Sequence, residues 1–420
     1  MQLTRRSFIG AGLGGLGLLA LPRGASAAAT ANLIVVFARG GWDPVWSIDP
    51  KQSGDVDSPP DGTIADFHGG KTPILIAPGR PNIEAFFGEW AGQCAVVRGI
   101  DVGSIAHFAC HVRMMTGTRT ELNPDVGAMT AVSNGTGLPL PYADIGGGAY
   151  AGAYAAQMGR LGNRNQVVTL LDRKKAYAPA TAVDYADTPL LVPTNDESAQ
   201  IQSWLDARAQ RLGEGRAALG DNARRLQDYR DCFGRADALR EIPELQKLPL
   251  GGAAALPGQI ELALTLLQLG TSRSIYLDSR LDWDTHDDIA DQGSNQDELF
   301  GDLSLLMQRL TETGLLASTA VVVMSEMGRT PKLNGPGNTA GKDHWPVTSA
   351  LVLGAGVKPG SYGATDDKLN ARAVNLTSGK ADDGGVPLRY DNFAAGVLKL
   401  VGIDPQEWLA DVVPMQGFIA

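Results

Sequence analysis

The sequence predicts an α/β protein built on a mainly parallel sheet with helices on both faces. Short, continuous apolar runs recur along the chain, which is typical of strands buried on both faces of a sheet. Amphipathic helical patterns lie between these runs, and this alternation is the pattern of a parallel α/β sheet. Hydrophobic residues make up 44% of the chain, so the 52 glycines and 24 prolines indicate tight turns rather than disorder.

Six apolar runs are the predicted strands. They cover residues 32 to 38, 94 to 98, 166 to 171, 274 to 277, 320 to 324 and 350 to 353. Helices are predicted over residues 104 to 116, 198 to 232, 258 to 269, 295 to 313 and 390 to 402. The strongly charged stretch 221 to 247 departs from the alternation, so we expect residues 196 to 247 to form an exposed helical excursion beside the sheet.

The N-terminus has the layout of a twin-arginine export signal. Arg5 and Arg6 precede a glycine-diluted apolar stretch over residues 8 to 22, and small residues at 25 to 27 provide a cleavage site. The apolar stretch is too short for a membrane-spanning helix. We therefore expect a signal peptide over residues 1 to 27 and a periplasmic or secreted domain over residues 28 to 420. An ordinary secretory signal that contains Arg-Arg is the alternative.

The charge balance argues against nucleic acid as a partner. Without the first 27 residues, 33 basic residues stand against 46 acidic ones, a net charge of −13. Phosphate contacts need a positive surface. The three cysteines, Cys94, Cys110 and Cys232, form no disulfide framework or zinc-finger pattern. A Cys94–Cys110 bridge and buried free thiols both remain open.

Residues that bind metal ions follow the predicted strands. Ligands of such sheets bind outside the carboxyl ends of the strands, where neighbouring loops converge. Four of the five histidines lie in these loops. Together with acidic residues they can surround a divalent metal, with zinc as the first expectation and manganese or calcium as alternatives. The candidates are Asp43, His107, His111, Asp284, His286, Glu326 and His344.

Each candidate also has a structural explanation. Glu326 ends a buried strand, where an uncompensated carboxylate is costly, and Arg329 could be its ion-pair partner instead of a metal. His107 and His111 are four residues apart and share one helix face. They could bind a metal ion together or be packing residues. Asp43 could be a turn residue, and Asp284 could cap its own loop.

The C-terminal blocks resemble a known family. SEMGRTPKLNGPGNTAGKDHWP (325 to 346), LGAGVKPGSYGATDD (353 to 367) and VGIDP (401 to 405) are similar to domain-of-unknown-function family 1501 of exported bacterial proteins. That family lies within the alkaline-phosphatase-like, or sulfatase-like, superfamily. The segments at 37 to 51, 106 to 117 and 283 to 286 resemble its other blocks, so the resemblance covers essentially the whole mature chain. Met327 and Pro359 stand where the family usually has Phe and Gly.

The resemblance implies a three-layer alkaline-phosphatase-like sandwich with two metal ions. It places Asp284, His286 and His344 on the first ion, and Asp43 and Glu326 on the second. The histidine that often follows the later acid is Met327 here, which puts the second ion in doubt.

The superfamily nucleophile is a Ser or Thr at the start of the helix after the second strand. Ser104 is the candidate here, with a helix N-cap as its alternative role. Many members carry Ser directly before the histidine, where this chain has Ala106. If Ser104 is not the nucleophile, direct attack by water at the metal remains open. His107 and Arg329 complete the expected catalytic set, and Arg39, Arg329 and Lys342 are expected to attract an anionic substrate.

Three functions therefore compete. The first is an exported metal-dependent hydrolase of phosphate or sulfate esters that acts on a small-molecule or polymer substrate. The second is a metal-binding but catalytically silent envelope or recognition protein on the same fold, and the third is a purely structural exported protein. We expect neither a nucleic-acid partner nor a membrane span, and the sequence leaves the oligomeric state open.

Overall fold

A computed structural model describes residues 32–161, 171, 193–215, 219–247, 255–336 and 340–420. Its strands are β1 Asn32–Phe37, β2 Thr63–Phe67, β3 Thr72–Ile76, β4 Cys94–Asp101, β5 Tyr142–Asp144, β6 Met158–Arg160, β7 Ser274–Asp278, β8 Thr319–Met324, β9 Gly328–Arg329, β10 His344–Trp345, β11 Val347–Gly354, β12 Gly360–Gly363, β13 Ala373–Asn375, β14 Lys380–Ala381 and β15 Val386–Pro387.

The described helices lie between these strands. They are α1 Pro81–Trp90, α2 His107–Thr116, α3 Val126–Asn134, α4 Asn195–Gly213, α5 Asp221–Arg240, α6 Pro243–Lys247, α7 Leu256–Gln268, α8 Ala290–Glu312 and α9 Tyr390–Leu400. Among the short 3-10 helices, the one at Pro44–Trp46 bears on the site because Asp43 caps it.

Eight strands form the central sheet in the order β12-β4-β11-β8-β1-β7-β5-β6. Only β11 runs against the other seven, since it pairs antiparallel with both β4 and β8. The ends of β1, β7 and β8 are level, because Phe37 pairs with both Asp278 and Met324. Val347, at the start of β11, is level with Asp101 at the end of β4. Five loops therefore meet at one edge of the sheet.

Two hydrophobic clusters cover the two faces of the sheet. Side chains of α2, α3 and α9 pack on one face, and those of α1, α7 and α8 pack on the other. In the second cluster the ring of Phe300 lies 5.2 Å from that of Phe86 and 5.3 Å from that of Phe87. The predicted fold class, helices on both faces of a mainly parallel sheet, is confirmed.

The predicted strands are confirmed within the described residues, with two adjustments. The strand expected over 350 to 353 is part of β11 and is antiparallel to its neighbours. The strand expected over 166 to 171 lies outside the described residues except for Leu171. The β2–β3 hairpin, β5, β6 and the small strands after β11 were not predicted, because most are short and several are exposed.

Two predicted helix boundaries are wrong. The helix expected to start at residue 104 begins at His107, and Ala106 occupies the N-cap position without a capping side chain. The hydroxyl of Ser104 lies before the helix and accepts from the backbone N–H of Ala106 at 3.3 Å. Ser104 is therefore not the N-cap. The single helix expected over 198 to 232 is two helices, α4 and α5.

Cys94 and Cys110 are both free and buried. They belong to the clusters on opposite faces of the sheet, so the bridge left open by the sequence is not formed. Burial raises the pKa of the Cys110 thiol to about 11. No described helix has the combination of length and apolar character that crossing a membrane requires.

Phe300→Ala should lower the free energy of unfolding by about 3–5 kcal/mol, because it leaves a cavity between two aromatic rings. The matched control is Phe108→Ala, which removes the same atoms from a ring that is 63% exposed and should change the stability by no more than about 0.5 kcal/mol. Urea unfolding followed by circular dichroism measures both. Equal losses for the two variants would contradict the assignment of Phe300 to the core.

Candidate metal centre

Asp284, His286 and His344 meet at the carboxyl edge of the sheet. Asp284 Oδ1 lies 3.1 Å from Nε2 of His286 and 3.1 Å from Nε2 of His344. The two imidazole Nε2 atoms are 3.0 Å apart. Asp284 and His286 follow β7, and His344 lies on β10 just before β11, so three side chains from two loops converge on one point.

The other ring nitrogen of each histidine is already bonded to the protein. His344 donates from Nδ1 to the carbonyl of Ile105 at 2.9 Å. His286 donates from Nδ1 to Asp343 Oδ1 at 3.1 Å. In their neutral forms both rings therefore carry a lone pair at Nε2. Two lone pairs and a carboxylate oxygen facing one another repel, unless a proton or a cation lies between them.

His107 directs a further donor at the other oxygen of Asp284. Its Nε2 lies 3.3 Å from Asp284 Oδ2 and, although buried, finds no hydrogen-bond partner among the described residues. Its Nδ1 lies 2.9 Å from Glu326 Oε1, and that hydrogen bond raises the pKa of the imidazole. The ring packs edge-on against His344 with centroids 4.4 Å apart. His107 thus also directs an unused Nε2 at the cluster.

The donor spacing fits a metal ion. A tetrahedral zinc with bonds of about 2.0–2.1 Å has its ligand atoms about 3.3 Å apart, and the separations here are 3.0, 3.1, 3.1 and 3.3 Å. Donor atoms of His107, Asp284 and His344 all lie within 4.8 Å of one another. His286 is not in that group, and it forms a second set of three with Asp284 and His344. Imidazole and carboxylate donors suit zinc, whereas calcium prefers oxygen ligands alone.

Each imidazole also has the kind of outer partner that metal-binding histidines have. The Nδ1 atoms bond a carboxylate for His107, a carboxylate for His286 and a backbone carbonyl for His344. Such partners fix the tautomer and the ring orientation of a ligand. All three rings are therefore held with Nε2 turned inward by the folded chain alone.

Arg329 keeps Asp284 ionised and in place. Partial burial opposes ionisation of Asp284, but the hydrogen bond from Arg329 at 2.6 Å and the contact with the His344 ring outweigh it and lower the pKa of the carboxyl to about 2. The guanidinium, which has no solvent exposure, also donates to the backbone carbonyls of Gly40, Gly41, Trp283 and Lys342. Arg329 is therefore a buried partner that holds Asp284, and its catalytic role stays a prediction.

Glu326 lies behind His107 and outside the donor cluster. Its carboxylate is buried and accepts from Gly40 N at 2.8 Å, from His107 at 2.9 Å and from the Ser325 hydroxyl at 3.1 Å. Burial opposes its ionisation, but the hydrogen bond from His107 and the backbone bonds lower the pKa of the carboxyl. The ion pair between Glu326 and Arg329, the structural alternative from the sequence, is not formed.

The remaining predicted residues lie near the cluster but have other partners. Asp43 is buried against Lys342, with Nζ 2.7 Å from Oδ2. His111 bonds Tyr150 through Nδ1 at 2.7 Å, and burial lowers the pKa of its imidazole to about 4; it does not belong to the group of donors that contains His107. Ser104 directly precedes Ile105, whose carbonyl accepts from His344.

Two glycines let the loops approach closely. Gly40 has φ +125, and a Cβ there would lie 2.8 Å from the backbone nitrogen of Asp284. A Cβ on Gly341 would lie 2.1 Å from the carbonyl carbon of His286. Any side chain at either position would push the loop that carries Asp284 and His286 outward. The glycines are therefore required where the first loop and the 340 to 345 segment pack on the loop that carries Asp284 and His286.

The family described as "Protein of unknown function (DUF1501)" matches residues 30–413. The chain belongs to this family. No curated protein sequence matches this DUF1501 chain.

Solved structures align with this DUF1501 protein over most of its length. A protein of the alkaline phosphatase superfamily from Vibrio parahaemolyticus is 8% identical, with a TM-score of 0.35, and the alignment covers 91% of this chain and 70% of that one. The lipoteichoic acid synthase LtaP from Listeria monocytogenes is 10% identical, with a TM-score of 0.38 and coverage of 93% and 77%. The PsFucS1 sulfatase from Pseudoalteromonas sp. is 10% identical, with a TM-score of 0.37 and coverage of 93% and 73%. None of the three decides what this chain does.

Sequence reasoning missed several members of the site. The pairing of Lys342 with Asp43 and the contact of His344 with Ile105 join residues 299 and 239 positions apart, and no local pattern marks them. The partnership of Asp343 with His286 could have been found, since Asp343 directly precedes a predicted ligand on a polar loop. His107 was expected in the catalytic set or in a metal pair with His111, whereas its position at the start of α2 directs Nε2 at Asp284.

Asp343→Asn should weaken zinc binding by about 10- to 100-fold, because an amide orients the His286 ring less strongly than a carboxylate does. Asp287→Asn is the matched control, since Asp287 is an exposed acid on the same loop as His286 and should leave the affinity unchanged. Competition with a chromophoric chelator measures both dissociation constants. Unchanged zinc affinity in the Asp343 variant would show that the contact of Asp343 with His286 does not support metal binding.

Proposed function

We propose that this protein is a metal-dependent hydrolase of phosphate or sulfate esters with a divalent cation, zinc, held by Asp284, His286 and His344. The observation that carries the proposal is the set of inward-facing Nε2 atoms around one ionised carboxylate, each ring being fixed through its other nitrogen. The family resemblance implies phosphate or sulfate esters as the substrate class. The donor chemistry favours zinc over manganese or calcium.

The roles follow from which atoms are free. A divalent cation at this point supplies Lewis-acid polarisation of an ester oxygen. Nε2 of His107 faces the same point while Nδ1 is held by buried Glu326, so His107 can receive the proton of an attacking water at Nε2. Ser104 remains the candidate for a nucleophilic hydroxyl, since it directly precedes the residue whose carbonyl orients His344.

Arg39 is the cation best placed to meet an anionic substrate. The protein carries a net charge of −10, so attraction of an anion must be local. Of the three cations predicted for this task, Arg329 and Lys342 are fully buried. The side chain of Arg39 is 49% exposed and contacts Asp278 and the Tyr276 hydroxyl, each at 3.5 Å. It lies two residues after the end of β1, at the edge of the sheet where the loops with the candidate donors meet.

The rim of the site also supports an apolar group on the ester. Ile105 and Phe108 are 55% and 63% exposed. They stand directly before and after Ala106 and His107 in the chain, and His107 reaches Asp284. Burying such side chains against an aryl or alkyl group stabilises a complex by about 25 cal/mol per Å² of apolar surface. Aryl phosphates and aryl sulfates are therefore the substrates to assay first.

A second function is favoured by one feature of the site. If all four donors, His107 included, bind the same ion, the coordination is closed, as in structural zinc sites. Ala106 at the N-cap of α2 offers no hydroxyl for nucleophilic attack. The protein would then be a catalytically silent metal-binding protein of the cell envelope.

Asp284→Asn and His344→Ala should each abolish ester turnover, because the first replaces a carboxylate ligand by a neutral, weaker amide and the second removes an imidazole ligand. Metal content by mass spectrometry should fall in parallel. Asp287→Asn, an exposed acid on the same loop, should retain both. Full activity in the two donor variants would reject the hydrolase proposal.

His107→Gln separates the hydrolase from the silent protein. In the hydrolase, turnover should fall by about 10²- to 10⁴-fold, the usual worth of a positioned proton acceptor, while one metal ion stays bound. In the silent protein, no wild-type turnover is seen on any phosphate or sulfate ester, and the variant loses metal instead.

We further propose export by the twin-arginine pathway, with the mature chain starting near residue 28. Replacing Arg5 and Arg6 together by lysine should retain the protein in the cytoplasm, since the paired arginines are the address that the pathway reads. Cell fractionation followed by immunoblotting measures the distribution. Unchanged export of the double variant would indicate an ordinary secretory route.

A further inference from the structure

Both carboxylate oxygens of Asp43 have partners within the protein. Its Oδ2 lies 2.7 Å from Nζ of Lys342, and neither side chain has any solvent exposure. Its Oδ1 accepts from the backbone N–H of Val45 at 3.2 Å, which caps the 3-10 helix Pro44–Trp46. Both oxygens of the acid therefore have protein partners, one of them a full positive charge.

Glu326, the other acid that the resemblance assigns to a second ion, is engaged as well. Its Oε1 accepts from Gly40 N and from His107, and its Oε2 accepts from the Ser325 hydroxyl. A cation bound by both acids would have to displace the Lys342 ammonium and the His107 imidazole. The residues present do not fit a second metal ion between Asp43 and Glu326.

The placement of Lys342 is built into the same segment that supplies a metal donor. Its backbone N–H donates to the Thr285 carbonyl at 3.2 Å, and its carbonyl accepts from Arg329 at 3.0 Å. Two residues later, His344 reaches Asp284. One short stretch therefore directs an ammonium at Asp43 and an imidazole at the candidate metal centre.

Charge balance makes the ammonium necessary at this place. A buried carboxylate without a counter-charge is strongly unfavourable, and removing one partner of a buried pair leaves the other uncompensated. A lysine ammonium and a divalent cation can each satisfy Asp43, but two positive charges at the same short distance repel each other. Lys342 and a second metal ion therefore exclude one another.

We propose that this protein works with a single divalent cation, and that the Lys342 ammonium permanently occupies the place beside Asp43 that a second cation would take. The inference rests on the proposed function for the first cation, which Asp284, His286 and His344 hold. In this arrangement the positive charge beside Asp43 belongs to the protein and does not exchange with ions of the medium.

The test counts metal ions in the full mature chain. The protein is equilibrated with excess Zn²⁺ or Mn²⁺, dialysed and analysed by native mass spectrometry and elemental analysis. We expect one equivalent in the wild type and two in Lys342→Ala, with the second lost again in the Asp43→Ala/Lys342→Ala double variant. Lys332→Ala removes an exposed lysine whose partner is Asp57, and it should still bind one.

The outcomes separate the two proposals. Two equivalents in the wild type would overturn the ammonium inference and leave the hydrolase proposal standing, whereas no bound metal in any variant would overturn both. A folded Lys342→Ala that binds one equivalent also overturns the inference. If Lys342→Ala folds only when Zn²⁺ or Mn²⁺ is added, and then with two equivalents, the inference holds; failure of both ions to restore folding counts against it.

Discussion

The buried guanidinium of Arg329 is the interaction on which the site depends. It follows β8 and donates to carbonyls of the loop after β1, of the loop after β7 and of the segment before β10, as well as to Asp284 itself. A buried arginine is costly to desolvate, and this one is stabilised because acceptors surround it. The loops that carry the donors are thereby held in one arrangement before any ion binds.

The sheet makes this convergence possible. Because β1, β7 and β8 are parallel and end level, their following loops start at the same height. Because β11 is antiparallel to its neighbours, its start lies at the edge where the parallel strands end. His344, which precedes β11, therefore lies at that edge as well. Backbone contacts at Gly40 and Gly341 complete the approach.

The sequence was informative wherever the cause is local. A continuous apolar run marks a buried strand, so β1, β4, β7, β8 and β11 were located, and the rule that ligands bind beyond strand ends brought Asp284, His286 and His344 together correctly. Burial says nothing about direction, however, so the reversal of β11 could not be read from its composition. The start of α2 was misplaced because Ser104 is a better capping residue than Ala106.

The parts that escaped prediction are long-range pairings of charge. The resemblance assigned Asp43 to a metal ion, and nothing near residue 43 reveals that a lysine 299 positions away neutralises it. Likewise, Arg329 was expected to serve a substrate, and its burial could not be foreseen because it depends on carbonyls supplied by three separate loops. Local sequence patterns identify side chains that are able to bind a metal ion or take part in catalysis. The tertiary fold decides which of these side chains already have a partner within the protein.

The central claim is that an ion lies between Asp284, His286 and His344. Anomalous diffraction from crystals of zinc-loaded protein, recorded on both sides of the zinc absorption edge, tests it directly. The account predicts one strong peak within bonding distance, about 2.0–2.2 Å, of Asp284 Oδ1 and of both Nε2 atoms. No peak at this position, or a peak beside Asp43 with Lys342 displaced, would contradict it.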